Sequence, residues 1–258
     1  MHDGPPAAVY NAPMITVVIP ALNAEATLPA CLESLFEAAM SGLVRQVIVV
    51  DGGSTDRTAE VADRAGAEMI ASPRGRGTQL AAGAAAARHP WLLFLHADTA
   101  LEPGWEQATR RFIAESQGAQ AAAFTFALDD ASRPARRMTW LVALRCRLFA
   151  LPYGDQGLLI ARDLYESLGG YRPHPLMEDV DLVRRIGRRR LVMLKPRAVT
   201  SGERYRREGW WSRPIRNLTL LALFFLGVSP RRLAIWYGYR ASAAGPDTVP
   251  ARHAPPAP

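Results

Sequence analysis

Residues 47–56 read Val-Ile-Val-Val-Asp-Gly-Gly-Ser-Thr-Asp. Four β-branched residues in a row predict a strand buried on both faces, the pattern of a parallel sheet. Asp51 ends the run, and the Gly-Gly-Ser-Thr-Asp turn behind it leads to a helix that Thr55 or Asp56 can cap. The same unit lies upstream: Ile15-Thr16-Val17-Val18-Ile19, stopped by Pro20, then a helix over about Ala26–Met40. It recurs downstream as a short strand at Glu68–Ala71, an Ala-rich helix to Arg88, and Trp91-Leu92-Leu93-Phe94-Leu95 running into His96-Ala97-Asp98-Thr99. Strands alternating with helices imply an α/β fold, a mainly parallel central sheet with helices on both faces.

Beyond Pro103, expected near the first turn of a helix, the rhythm loosens. A strand is predicted at Ala121–Leu128, an amphipathic helix at Arg133–Leu151, a strand at Gly157–Ala161 and a helix opening at Glu178-Asp179. Two short strands are expected at Leu191–Leu194 and Ala198–Ser201, then a helical stretch over about Gly209–Arg240. Residues 1–13 and 242–258 are Pro- and Ala-rich and read as disordered tails.

The 258 residues give one sizeable domain, or one with an appendage. The net charge of +7 is carried almost wholly by arginine and suits an anionic partner: a nucleotide diphosphate, a phosphorylated acceptor or an acidic membrane. Nucleic acid is set aside, since the arginines are spread out and no recognition motif accompanies them. Cys31 and Cys146 lack metal-ligand spacing and read as buried free thiols. Met1-His2-Asp3-Gly4 opens no signal peptide. Leu218–Val228, the longest apolar stretch, falls short of the roughly 20 residues of a membrane span. A cytoplasmic protein is therefore expected. The apolar stretch reads either as a core helix or, with the arginines of 204–216, as a patch peripheral to the inner membrane face.

Ligands of open α/β sheets bind outside the carboxyl ends of the strands. Asn23 and Glu25, Asp51, and His96 with Asp98 all fall there. A GxGxxG dinucleotide loop, a P-loop and a GxSxG elbow are all missing. Phosphate contacts are left to cations, and Arg74 and Arg76, before a helix N-terminus, are the candidates unless they form only a solvated basic loop.

Five segments in order, Pro20-Ala21-Leu22-Asn23-Ala24-Glu25, Val50–Asp56, Phe94–Thr99, Gly169-Gly170-Tyr171 and Glu178-Asp179-Val180-Asp181-Leu182, resemble glycosyltransferase family 2, with its GT-A fold. The resemblance spans about residues 14–205 and implies a GT-A domain there, followed by a helical C-terminal extension at 206–241. It implies sugar transfer from a nucleotide diphosphate donor to a small-molecule or lipid acceptor, with inversion and with Mn²⁺ or Mg²⁺ as cofactor. Asp51 would hold the nucleobase, with Pro20, Asn23 and Glu25 beside the nucleoside. Asp98 would anchor the metal. Asp179 would be the general base, with Glu178 beside it on the acceptor side. His96 departs from the family, which usually has Asp there, and bears on ribose contact and metal choice. Asp155 reads either as an acceptor contact or as a structural turn residue. Arg204 matches a residue that closes over the diphosphate, or else pairs with Glu203. His96–Thr99, Pro152–Gly157 and Gly227–Pro230 further resemble a bacterial branch often associated with arsenosugar biosynthesis.

Two other readings compete. A nucleotidyltransferase would carry a Gly-rich, Lys-containing signature at the first strand, where Pro20–Asn23 stands instead. A binding module without catalysis is favoured by His96 and opposed by Asp51, Asp98 and Asp179. Oligomeric state is left open.

Overall fold

The computed structural model describes residues 13–237. The tails read at 1–13 and 242–258 lie, residue 13 apart, outside the described residues, as does the end of the last expected helical stretch. Eight strands form one sheet in the order β3-β2-β1-β4-β7-β6-β8-β5. Its first half, β3 (Glu68–Ala71), β2 (Val44–Asp51), β1 (Ile15–Ala21) and β4 (Trp91–Phe94), is wholly parallel. The second half is mixed: β7 (Leu158–Ala161) runs antiparallel to β4 and to β6 (Ala121–Leu128), and β6 is parallel to β8 (Leu191–Thr200). β5 (Thr99–Leu101) closes the edge antiparallel to β8.

β1 and β4 are apolar almost throughout because helices cover both faces of the sheet. Helix α4 (Arg76–Ala86) sits directly on β1 and β2. A Cβ on its Gly83 would meet Val18 Cγ1 at 2.3 Å, so only glycine allows that approach. A second cluster forms where Phe126 and Leu128 of β6 meet Met138, Val142 and Cys146 of α6 (Arg133–Phe149). Both cysteines are buried and unpaired, as the sequence implies.

Two expectations are corrected. The helix over 26–40 is two, α1 (Leu28–Glu33) and α2 (Phe36–Met40). The Ser34 hydroxyl donates to Cys31 O, and Ser34 O accepts the indole N–H of Trp105 at 3.1 Å, which draws it out of the helical ladder. The two strands at 191–201 are one, β8. Its register slips between Leu194 and Arg197, so Lys195 and Pro196 bulge out where proline has no N–H to offer the sheet. The strand β5 was not foreseen.

Past α3 (Thr58–Arg64), α5 (Trp105–Ser116), α7 (Arg162–Ser167) and α8 (Glu178–Ile186), the chain ends in α9 (Glu203–Glu208), α10 (Ser212–Phe225) and α11 (Pro230–Trp236). No helix among the described residues is long and apolar enough to cross a membrane. In α10 only Leu220 and Leu221 are buried, while Ile215, Leu218 and Phe225 are exposed.

Candidate active site

At the carboxyl end of β2, the Asp51 carboxylate accepts the backbone N–H groups of Gly53 and Ser54 and the Ser54 hydroxyl, which fixes the turn. The polar groups of the first loop tie it to this second one. Asn23, at φ 50°, accepts from Thr55 N at 2.9 Å and donates its own N–H to Ser54 Oγ. Glu25 accepts from Arg57 N at 2.9 Å and pairs with its guanidinium. Asn23 and Glu25 thus brace the wall beside Asp51.

Gln79 of α4, which sequence reasoning missed, pins the ends of both strands. Its buried amide donates to Ala21 O at 2.9 Å and Val50 O at 2.8 Å. A buried glutamine in an Ala-rich helix carries no local signal of that role.

A cavity of about 730 Å³ opens beside these loops, and Arg76, His96, Asp98, Asp155, Glu178, Asp179 and Arg204 all line it. Asp51, Asn23 and Glu25 stand outside it. Asp98 follows β4, and its backbone carbonyl accepts from Ser201 N at 3.1 Å and Thr200 Oγ1 at 3.3 Å, tying it to the end of β8. Arg204, the second residue of α9, reaches to 3.8 Å from Asp98 Oδ2. It meets Asp98 rather than Glu203.

Burial opposes charge on Asp98, but the neighbouring His96, Arg204 and Arg76 outweigh it and hold its carboxyl below the usual range. Burial and Arg76 push His96 down to about 4, so the imidazole is neutral at pH 7.

Asp179 Oδ2 accepts the Gly154 N–H at 2.9 Å, and Oδ1 accepts from Val180 N. Gly154 itself is hemmed in, since a Cβ there would lie 2.4 Å from His96 Nε2. Met177 precedes the acidic pair at φ 65°, a left-handed conformation uncommon outside glycine. Glu178 is buried, with Arg76 Nη1 3.3 Å from its Oε1, and burial pushes its carboxyl up to about 7. The carboxylates of Glu178, Asp179 and Asp98 raise the Arg76 guanidinium above its ordinary value and keep it protonated. Burial likewise raises Asp155 to about 6, and its Oδ1 is buried with no hydrogen-bond partner among the described residues.

The turn carrying Asp155 rests on two further residues without a sequence signal. Arg145 of α6 lies 3.4 Å above the Tyr153 ring and donates to Leu151 O. The buried Gln156 donates to Phe124 O and accepts from Tyr153 N.

The family model Glycosyl transferase family 2 matches residues 16–169. A PGL/p-HBAD biosynthesis glycosyltransferase of Mycobacterium tuberculosis is 36% identical over 103 residues, 35% of this chain and 37% of that one. An uncharacterized glycosyltransferase of the same organism is 43% identical over 91 residues, 35% of this chain and 39% of that one. The matches thus take in well under half the length of these relatives. Among solved structures, glucosyl-3-phosphoglycerate synthase of Mycobacterium tuberculosis in complex with Mg²⁺ and UDP superimposes with a TM-score of 0.56. Its identity is 23%, over 77% of this chain and 75% of that one. The same enzyme with Mn²⁺, UDP and glucosyl-3-phosphoglycerate gives 0.52 at 22% identity, over 78% and 76%. The fold is therefore GT-A, the architecture of nucleotide-sugar transferases. The chain belongs to glycosyl transferase family 2.

Proposed function

We propose that this chain transfers a sugar from a nucleoside diphosphate donor to an acceptor hydroxyl by a single, inverting displacement. One observation carries the reading: Asp98 after β4, Arg76 of α4, Asp179 of α8 and Arg204 of α9 line one cavity at the carboxyl ends of the strands. Asp51, with Pro20, Asn23 and Glu25 as the braced wall, holds the nucleoside. Neutral His96 hydrogen-bonds the ribose. Arg76 and Arg204 take the diphosphate, their charge opposing the charge that develops on it as it leaves.

Among the described residues no three His, Cys, Asp or Glu side chains cluster to form a metal cage. That donor set fits a hard cation held in part by substrate phosphates, with Asp98 as the protein's carboxylate. When bound there, Mn²⁺ or Mg²⁺ supplies further charge neutralisation at the diphosphate. The Mg²⁺, Mn²⁺ and UDP of the synthase structures support this assignment.

Asp179 is the general base. Gly154 holds its Oδ2 in place, and a carboxylate oxygen with a lone pair left over can take the proton of an acceptor hydroxyl. The hydroxyl proton passes to Asp179 as the acceptor oxygen bonds to the anomeric carbon. The bond from that carbon to the phosphate oxygen breaks, and the nucleoside diphosphate leaves with the electron pair. Glu178 and Asp155 contact the acceptor. The decisive experiment pairs anomeric NMR of the product with Asp179→Asn kinetics; retained configuration would refute the mechanism.

Residues 14–205 are proposed as the catalytic domain and 206–241 as a C-terminal extension, whose α10 lines the crevice, working at the cytoplasmic membrane face. The exposed Trp211, Ile215, Leu226 and Trp236 support peripheral membrane contact. An arsenosugar-related acceptor rests on the branch resemblance alone.

A further inference from the structure

The cavity holding Asp98 and Asp179 extends well past its polar end. Val142, Leu144 and Leu148 of α6 and Leu218, Leu221 and Phe225 of α10 line the same space. Val142 and Leu221 are buried, but Leu144, Leu148, Leu218 and Phe225 are 36%, 51%, 60% and 46% exposed. A nucleoside diphosphate sugar is polar along its length and gains little from such walls. At about 730 Å³ the space falls within the roughly 300–1,000 Å³ of small-molecule sites. At the catalytic end the buried Asp155 Oδ1 lacks a donor, and buried polar atoms in working sites are ordinarily paired. One end of the cavity thus calls for a hydroxyl and the other for a hydrocarbon.

We propose that the acceptor is an amphipathic alcohol, its hydroxyl head held at Asp155 and Asp179 and its apolar chain laid between α6 and α10. This rests on the sugar-transfer reading and gives that reading its acceptor class. The apolar walls are continuous with the proposed base, so chain and hydroxyl belong to one molecule.

The test uses the full chain with hexyl, octyl and decyl β-D-glucosides, each below its micelle concentration, by titration calorimetry with UDP as a parallel ligand. Affinity should rise by up to about fourfold per added methylene until the walls are filled. Leu144→Glu and Leu218→Glu, both at partly exposed positions, should weaken decyl glucoside at least tenfold while UDP still binds. Decyl glucoside offered in phosphatidylcholine–phosphatidylglycerol vesicles separates the sources. Stronger capture there assigns a bilayer lipid, and equal or weaker capture a dissolved alcohol. Affinity indifferent to chain length, or unchanged in both variants, overturns the proposal and leaves the donor reading standing. Chain-length dependence with no UDP binding overturns the transferase reading instead, and with it the acceptor role.

Discussion

Gly154→Ala tests the site at its tightest point. The backbone there is not in the left-handed region, so the perturbation is purely steric. The added Cβ would sit 2.4 Å from His96 Nε2 and 2.9 Å from Cε1, against ordinary contact beginning near 3.4 Å. About 1 Å of overlap must be relieved, either by the imidazole swinging into the cavity or by the turn moving away. Moving the turn stretches the 2.9 Å bond from Gly154 N to Asp179 Oδ2, a bond to a charged group worth about 1.5–3 kcal/mol. Overpacking alone costs about 1–3 kcal/mol, which lowers Tm by a few degrees for a chain of this size. A base displaced by about 1 Å loses on the order of 10²-fold in kcat. Steady-state transfer kinetics and thermal unfolding report both effects. Adding His96→Ala removes the obstructing ring and should recover part of the stability, a coupling of about 0.5–3 kcal/mol in a double-mutant cycle. Wild-type kcat and Tm in Gly154→Ala would sink the reasoning.

Asp179→Asn should lower kcat by about 10²–10⁴-fold with donor affinity nearly intact; parallel loss of both, measured by kinetics and calorimetry, argues instead for a structural role. Asp98→Asn should abolish the Mn²⁺ dependence of UDP binding, and equal Mn²⁺ enhancement in variant and parent removes Asp98 from the metal site. Glu178 binds its proton more tightly folded, near pH 7, than unfolded, near 4.5, so its contribution to stability falls as pH rises through that window. Urea unfolding at pH 5 and pH 8 should show that decline, on the order of 2–3 kcal/mol, and Glu178→Gln should flatten it. Gln79→Ala removes the side-chain donor from the carbonyls of Ala21, which keeps the Gly52 N–H, and Val50, and should cost about 1–3 kcal/mol by the same assay.

What the sequence disclosed follows from where its signals are local. The buried parallel strands announce themselves as apolar runs, and the polar residues that end them, Asp51 and Asp98, stand where such sheets bind ligands. The start of α8 was legible for the same reason, since Glu178 and Asp179 open a periodic stretch. Residues whose partners lie far along the chain stayed hidden. Gln79 and Gln156 look like ordinary helix and turn residues until the fold supplies carbonyls from β1, β2 and β6. β5 is three residues long and exists only because β8 pairs with it. Ser34 interrupts a good helical sequence through a contact with Trp105, 71 residues away.

The pairing of β5 with β8 has a consequence for the order in which the molecule assembles. Thr99 opposes Thr200, a loop of 101 residues, whereas β1 and β2 close across about 30. Closing the longer loop costs more chain entropy, and contacts of such separation form late. The proposed nucleoside wall around Asp51 is thus expected to mature ahead of the Asp98–Arg204 contact, so on the proposed reading a nascent chain holds half a binding site before it can do any chemistry. Pulse-labelled hydrogen exchange would show it: protection at Val17 and Val49 should precede protection at Ser201, whose amide is held by Asp98.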